Sequence, residues 1–109
     1  MSKIFIVCNN LLDTSRIEEA LKDHDVNVLR SVQKAIEKFE TSKDDSITIV
    51  LDYYTYENLD IIELISQFDD VKIVSFVPHE KIDDLKLQVP EVSFVARSRF
   101  FRNIEKYIS

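Results

Sequence analysis

Short apolar runs alternate along the chain with stretches in which apolar residues recur every three or four positions. The runs at 3–8 and 47–51 are continuously apolar, which is typical of central parallel strands that helices cover on both faces. Residues 26–29 alternate between apolar and polar, which favours an edge strand. Two further runs, at 71–76 and 92–96, complete a set of five predicted strands.

A stretch with helical periodicity follows each predicted strand. The clearest is the second, because its apolar positions between 32 and 39 fall on one helical face. A polar loop at 41–46 and a tyrosine-rich turn after residue 52 interrupt the pattern, and residues 80–88 form a weaker helix. Polar residues that precede or open the apolar faces are the predicted N-caps: Ser15, Ser31 and Asn58.

The strict alternation of strands and helices predicts the α/β class, with a three-layer, doubly wound parallel sheet of five strands. Because the first and third runs read as central and the second as an edge, the predicted strand order is 2-1-3-4-5. The sequence contains neither a linker nor an internal repeat, so residues 1–109 are predicted to form a single domain.

Composition narrows the function classes. The chain has no glycine, which excludes a glycine-rich phosphate loop, a dinucleotide-binding turn and a nucleophile elbow. Its net charge of −6 disfavours nucleic-acid binding, and its apolar runs are too short to span a membrane. A single cysteine cannot form an intrachain disulfide, and a cytoplasmic location is therefore expected.

Candidate chemistry gathers where the predicted strands end. In a doubly wound sheet the carboxyl ends of the strands converge on one crevice at the switch point of the strand order. The first and third strands lead there to Cys8, Asn9 and Asp52, and the fourth and fifth lead to Ser75 and Arg97. These residues are the candidates for any site.

The whole chain resembles the receiver domains of bacterial and archaeal response regulators, which have the CheY-like fold. Cys8 and Asn9 stand where receivers carry an acidic pair, and Asp52 matches their phospho-accepting aspartate. Ser75 matches the Ser/Thr that closes the fourth strand. The segment from Phe94 to Arg97 matches an aromatic-x-x-Lys motif, with Arg in place of Lys. The resemblance implies two-component signalling, and the residues implied as switch-like are Ser75, Phe94 and Arg97.

The departures from the receiver pattern concern its metal. Receiver phosphotransfer uses Mg²⁺, which prefers carboxylate oxygens, and a thiol at Cys8 with an amide at Asn9 cannot replace two charges. We therefore expect no metal site and no cofactor. Phe76 is bulky beside Ser75 and is expected to obstruct the phosphoryl position. With no metal between them, Asp52 is predicted to pair directly with the fork of Arg97.

Two groups of residues are candidates for binding a protein partner. Tyr53, Tyr54 and Tyr56 follow Asp52 directly, and tyrosine is enriched at interfaces. A basic cluster opens the last predicted helix. The resemblance implies dimerisation through the surface of the fourth and fifth strands and helices, so a homodimer through that face is expected. The candidates in the basic cluster are Arg99 and Arg102.

The leading hypothesis is a stand-alone, non-enzymatic signalling or protein-interaction module: a pseudo-receiver that is not phosphorylated by the usual Mg²⁺-dependent route. The alternative is a phosphate-transferring protein, either a receiver phosphorylated on Asp52 or a carrier similar to sugar-phosphotransferase IIB proteins that uses Cys8. Cys8 also fits a small buried apolar residue. A third hypothesis is a structural subunit whose fold carries no site.

Overall fold

The continuous apolar runs form the centre of a five-stranded, fully parallel sheet. A computed structural model describes residues 2–42 and 45–108, so part of the predicted loop at 41–46 lies outside the described residues. The strand order is β2-β1-β3-β4-β5, which confirms the predicted order and fold class. The strands are β1 Ser2–Val7, β2 Val26–Leu29, β3 Ser46–Asp52, β4 Lys72–Val77 and β5 Ser93–Ala96.

Helices connect the strands, as the alternation predicts, with two differences. The tyrosine-rich segment is a short helix instead of a turn, and the last predicted helix is interrupted at Asn103, whose backbone is not helical. Both halves of the last helix still bury an apolar residue, Phe100 and Ile104. The helices are α1 Leu11–Ala20, α2 Val32–Glu40, α3 Tyr53–Tyr56, α4 Ile61–Ser66, α5 Ile82–Gln88, α6 Arg97–Arg102 and α7 Ile104–Ile108, with a 3-10 turn at His79–Lys81.

Side-chain caps set where the helices begin. Ser31 caps α2 as predicted, since its Oγ accepts from the Lys34 amide at 3.2 Å. The predicted cap at Ser15 is wrong, because the Oδ1 of Asn10 accepts from the Asp13 amide and starts α1 earlier. The predicted cap at Asn58 is also wrong. There, the Oδ1 of Asp60 accepts from two amides of the first turn of α4.

Each face of the sheet carries its own apolar core, because successive residues of a strand point to opposite sides. In β3, Ile49 and Leu51 enter the first core, beneath α2 to α5, whereas Val50 enters the second. The second core lies beneath α1, α6 and α7, and in it the rings of Phe76 and Phe100 stack at 4.8 Å. The result is the predicted three-layer arrangement.

The turns between strands and helices form without glycine. Among the described residues, Asp70 alone has a positive φ, 55°, in the connection between α4 and β4. Aspartate tolerates this left-handed conformation better than most residues with a side chain. In the same described part of the chain, no helix has both the length and the apolar character needed to cross a membrane.

Candidate functional site

The carboxyl ends of the two central strands bring the predicted crevice residues together. In the sheet register Val7 lies opposite Leu51, so the residues that follow β1 face those at the end of β3. The amide of Asn9 donates to Thr55 Oγ1 at 3.2 Å, and the thiol of Cys8 lies 3.6 Å from Asp52 Oδ2. Direct hydrogen bonds therefore join the two connections.

Asp52 is enclosed by donors from its own chain. The residue is 2% exposed and acts as the N-cap of α3, with its Oδ1 accepting from the Tyr54 amide at 3.3 Å. Its Oδ2 accepts from Thr55 Oγ1 at 2.9 Å and from the Cys8 thiol. Burial nevertheless raises the pKa of the Asp52 carboxyl above its ordinary value, and these hydrogen bonds offset only part of the shift. Sequence reasoning missed Thr55, although its spacing of three residues from Asp52 is typical of a cap contact.

Arg97 pairs with Asp13, and the predicted pair with Asp52 is wrong. The guanidinium nitrogens of Arg97 donate to both carboxylate oxygens of Asp13, at 2.6 and 2.7 Å. The early start of α1 is the reason, because it places Asp13 in the first helical turn at this edge of the sheet. Asp13 is 5% exposed, and its fork with Arg97 raises the pKa of the guanidinium further.

Aromatic rings line the other side of Arg97. Its guanidinium carbon lies 4.7 Å from the centre of the Phe101 ring and 5.9 Å from that of Phe76. Phe76 is buried in the second core, where its ring also contacts Phe100. The bulk of Phe76 therefore forms part of the wall on which Arg97 rests, and such cation–π contacts stabilise a fixed guanidinium.

The predicted switch-like serine is hydrogen-bonded to a tyrosine. Ser75 Oγ lies 2.6 Å from the hydroxyl of Tyr56, and both residues are buried. Burial raises the pKa of Tyr56 to about 12, so the phenol is neutral at physiological pH. Phe94 is buried in the first core as well.

The three predicted partner-binding tyrosines differ in their exposure to solvent. At 2% exposure, Tyr56 presents no surface to a partner, and its assignment to partner binding is wrong, because the residue fills the first core. Tyr54 is 55% exposed, and Tyr53 is half-buried with its ring edge-on to both of the others. Arg99 and Arg102 on α6 are both exposed.

The residues at this edge do not fit a magnesium site. Both oxygens of Asp13 accept from Arg97, and both oxygens of Asp52 accept from donors of α3 or from Cys8. The amide of Asn9 and the thiol of Cys8 bring no charge. Within residues 2–42 and 45–108, three acidic, histidine or cysteine side chains nowhere converge as a metal ligand set would.

Cys8 is a buried neutral thiol. The side chain is fully enclosed in the second core, which agrees with its interpretation as a small apolar residue. Burial raises the pKa of the thiol to about 12, with a smaller contribution from the negative charge of Asp52. A nucleophilic cysteine reacts as the thiolate, and this environment opposes its formation.

Comparison with known proteins identifies the architecture. The chain superposes on the Vibrio cholerae chemotaxis protein CheY4 with a TM-score of 0.71 and 16% identity, covering 99% of this chain and 96% of that one. The chain has the CheY-like receiver fold. A Thermotoga maritima response regulator superposes with a TM-score of 0.63 and 17% identity, covering 99% of this chain and 98% of that one. The Legionella pneumophila response regulator LqsR superposes with a TM-score of 0.72 and 14% identity, over 97% of this chain and 43% of LqsR.

These similarities establish the fold. No family model matches the sequence, and no curated protein matches it. The receiver fold places the ends of β1, β3, β4 and β5 at one edge, where this chain has an ion pair, a buried aspartate and a serine bonded to tyrosine.

Removing Arg97 is expected to destabilise the protein, because the buried carboxylate of Asp13 would lose its cation. We expect Arg97→Gln to lower the free energy of unfolding by about 1–3 kcal/mol, discounted for the partial exposure of Arg97. Urea denaturation measures the change, with Arg30→Gln at an exposed position as the control. The Arg97→Gln/Asp13→Asn double variant should lose less than the sum of the single variants; strict additivity would contradict a direct pair.

The raised pKa of Asp52 predicts a pH dependence. Because the folded state holds the Asp52 proton more tightly than the unfolded state, stability falls as pH rises from the unfolded pKa through the folded one. Asp52→Asn, which retains a capping oxygen, should therefore be more stabilising at pH 7 than at pH 4. Urea midpoints at the two pH values measure this difference, and Asp60→Asn controls for loss of one negative charge. A larger benefit at pH 4 would refute the prediction.

Proposed function

We propose that this chain is an interaction module with a receiver fold that works without phosphorylation by the usual Mg²⁺-dependent route. The observation that carries the proposal is the fork between Arg97 and Asp13, which occupies the one acidic side chain of α1 that lies at this edge. An arginine fixed in this way supplies a permanent positive charge where a metal would otherwise be recruited.

The hydrogen bonds of Asp52 support the same proposal. A phosphoryl acceptor needs an accessible carboxylate oxygen, whereas the carboxylate of Asp52 is buried and caps α3. The hydroxyl of Ser75, which the resemblance makes switch-like, is engaged by Tyr56. We infer that these bonds hold the edge in one state, so that signalling depends on binding rather than on a covalent change. The proposed module is non-enzymatic, cytoplasmic and free of cofactor.

An exposed apolar rim supports binding to a protein. Leu11 and Leu12 open α1 and Tyr54 lies in α3, and all three side chains are exposed. The bond between Asn9 and Thr55 joins the connections that carry them. Large apolar side chains grouped on a surface mark interaction sites, and tyrosine adds a polar tip suited to an interface rim. We infer that a partner docks at this rim.

A second surface supports a homodimer. The face of β5, α5, α6 and α7 holds a cavity of about 280 Å³ whose lining includes Lys86, Arg99 and Tyr107. Asp83 and Asp84 lie in the first turn of α5, whose Lys86 lines this cavity, and both are exposed. In an isologous dimer residue i of one copy contacts residue j of the other and j contacts i, so a face that carries both signs of charge can pair with itself.

A phosphorylation assay tests whether Asp52 accepts a phosphoryl group. Incubation with Mg²⁺ and a small-molecule phosphoryl donor should leave the intact mass of the protein unchanged. A receiver of demonstrated activity, treated in parallel, shows that the donor is competent. A mass increase of one phosphoryl group that Asp52→Asn abolishes would overturn the proposal.

Restoring the missing acidic residues provides the converse test. Asn9→Asp, at an exposed position, and Cys8→Asp/Asn9→Asp should each increase Mg²⁺ affinity measured by calorimetry, because they return carboxylate oxygens to the edge. The single variant keeps the test usable if an aspartate at the buried position 8 prevents folding. Magnesium binding by the wild-type chain as tight as by the variants would contradict the proposal.

Sedimentation velocity over a range of concentrations tests the homodimer. We expect reversible dimerisation, weakened at least severalfold by Arg99→Glu, because an acidic side chain at position 99 would then face the acidic first turn of α5 on the other copy. Lys34→Glu makes the same charge change on α2, away from this face, and should leave the dimer intact. A wild-type chain that stays monomeric up to millimolar concentration would exclude this surface as a dimer interface.

A further inference from the structure

A cleft between α1 and α6 collects three arginines around one phenylalanine ring. Its volume is about 300 Å³, and its lining is Arg16, Arg97, Ser98, Phe101 and Arg102. Arg97 belongs both to this cleft and to the ion pair with Asp13, and neither the receiver resemblance nor the hydrogen bonds of Asp52 and Ser75 account for the cleft.

The positive charge of the cleft is only partly neutralised. Arg97 is paired with Asp13, but in the described part of the chain no carboxylate forms an ion pair with Arg16 or Arg102. Both of these side chains are exposed, so their N–H groups are free to reach a ligand. In a chain with a net charge of −6, such a grouping makes a local positive field that attracts anions.

Two of the three guanidinium groups lie against the same aromatic ring. Arg16 lies 4.3 Å and Arg97 4.7 Å from the centre of the same Phe101 ring. The edges of Phe101 meet Phe76 and Phe100 in T-shaped contacts, which fix the ring against the second core. The ring therefore gives both guanidinium groups a fixed support, and Arg16 keeps N–H groups that no carboxylate in the described part of the chain engages.

The chemistry of the lining favours a compact oxyanion. The ring that could stack on a planar base is already contacted by arginines, so the cleft offers N–H donors and the Ser98 hydroxyl in preference to bare aromatic surface. Guanidinium forks match the oxygens of phosphate groups, and a hydroxyl adds one further donor.

We propose that this cleft binds a phosphate-type oxyanion, held by Arg16 and Arg102 with Ser98 as a further donor. Arg97, whose fork is engaged with Asp13, forms the inner wall and contributes charge. This site is separate from Asp52 and requires no reaction there, so it stands whether or not Asp52 is phosphorylated.

Titration with inorganic phosphate tests the cleft, with the Nε–Hε signals of the arginines followed by NMR at constant ionic strength. The signals of Arg16 and Arg102 should shift saturably, and Arg16→Gln and Arg102→Gln should each weaken binding about tenfold. Both positions are exposed, so the variants should fold. Arg30→Gln, an exposed arginine that follows β2, should bind as the wild type does.

A phosphoserine peptide and its unphosphorylated counterpart separate the two sources of the same chemistry. Tighter binding of the phosphopeptide than of inorganic phosphate, lost in Arg16→Gln, would identify a phosphorylated protein as the source. Binding of inorganic phosphate alone would identify the free anion. The proposal fails if phosphate causes no saturable shift, or if Arg30→Gln weakens binding as much as Arg16→Gln does, since net charge alone would then explain the effect.

Discussion

The ion pair between Asp13 and Arg97 determines the arrangement of the carboxyl edge of the sheet. It joins the first turn of α1 to the residue that follows β5, across 84 positions of sequence. Because both oxygens of Asp13 are engaged, the carboxylate is unavailable to a metal. Because both terminal nitrogens of Arg97 are engaged, the guanidinium is held against Phe76 and Phe101. The ion pair therefore belongs to the carboxyl edge of the sheet through Asp13 and to the arginine cleft through Arg97.

Much of the fold could be predicted because it depends on periodicity, which a sequence displays directly. The continuous run at 47–51 becomes β3 and the alternating one at 26–29 becomes edge strand β2. The first residue of each helix was harder to predict. Near the start of α1, for example, both Asn10 and Ser15 are residues able to act as the N-cap. The cap that forms depends on where the chain leaves β1, which tertiary structure decides.

The main error at the site concerns the partner of Arg97. Strand order alone brings Asp52 and Arg97 to the same edge, and it does not say which carboxylate the arginine reaches. The cap at Asn10 places Asp13 in the first turn of α1, and the carboxylate of Asp13 accepts from the guanidinium of Arg97. Similarly, three tyrosines in four positions resemble an exposed loop until α3 forms and turns Tyr56 toward Ser75. Side-chain partners depend on rotamers and helix phase, which apolar periodicity does not encode.

The absence of glycine has a consequence for the unfolded chain. A chain without glycine has fewer backbone conformations open to it when unfolded, and each replacement of glycine by another residue at a compatible position favours folding by about 0.4–1 kcal/mol. In the described structure, the one left-handed backbone conformation is adopted by Asp70, a residue that carries a side chain. The entropy advantage thus applies to the connections between strands and helices, including those that hold Asp13, Asp52 and Arg97 in place.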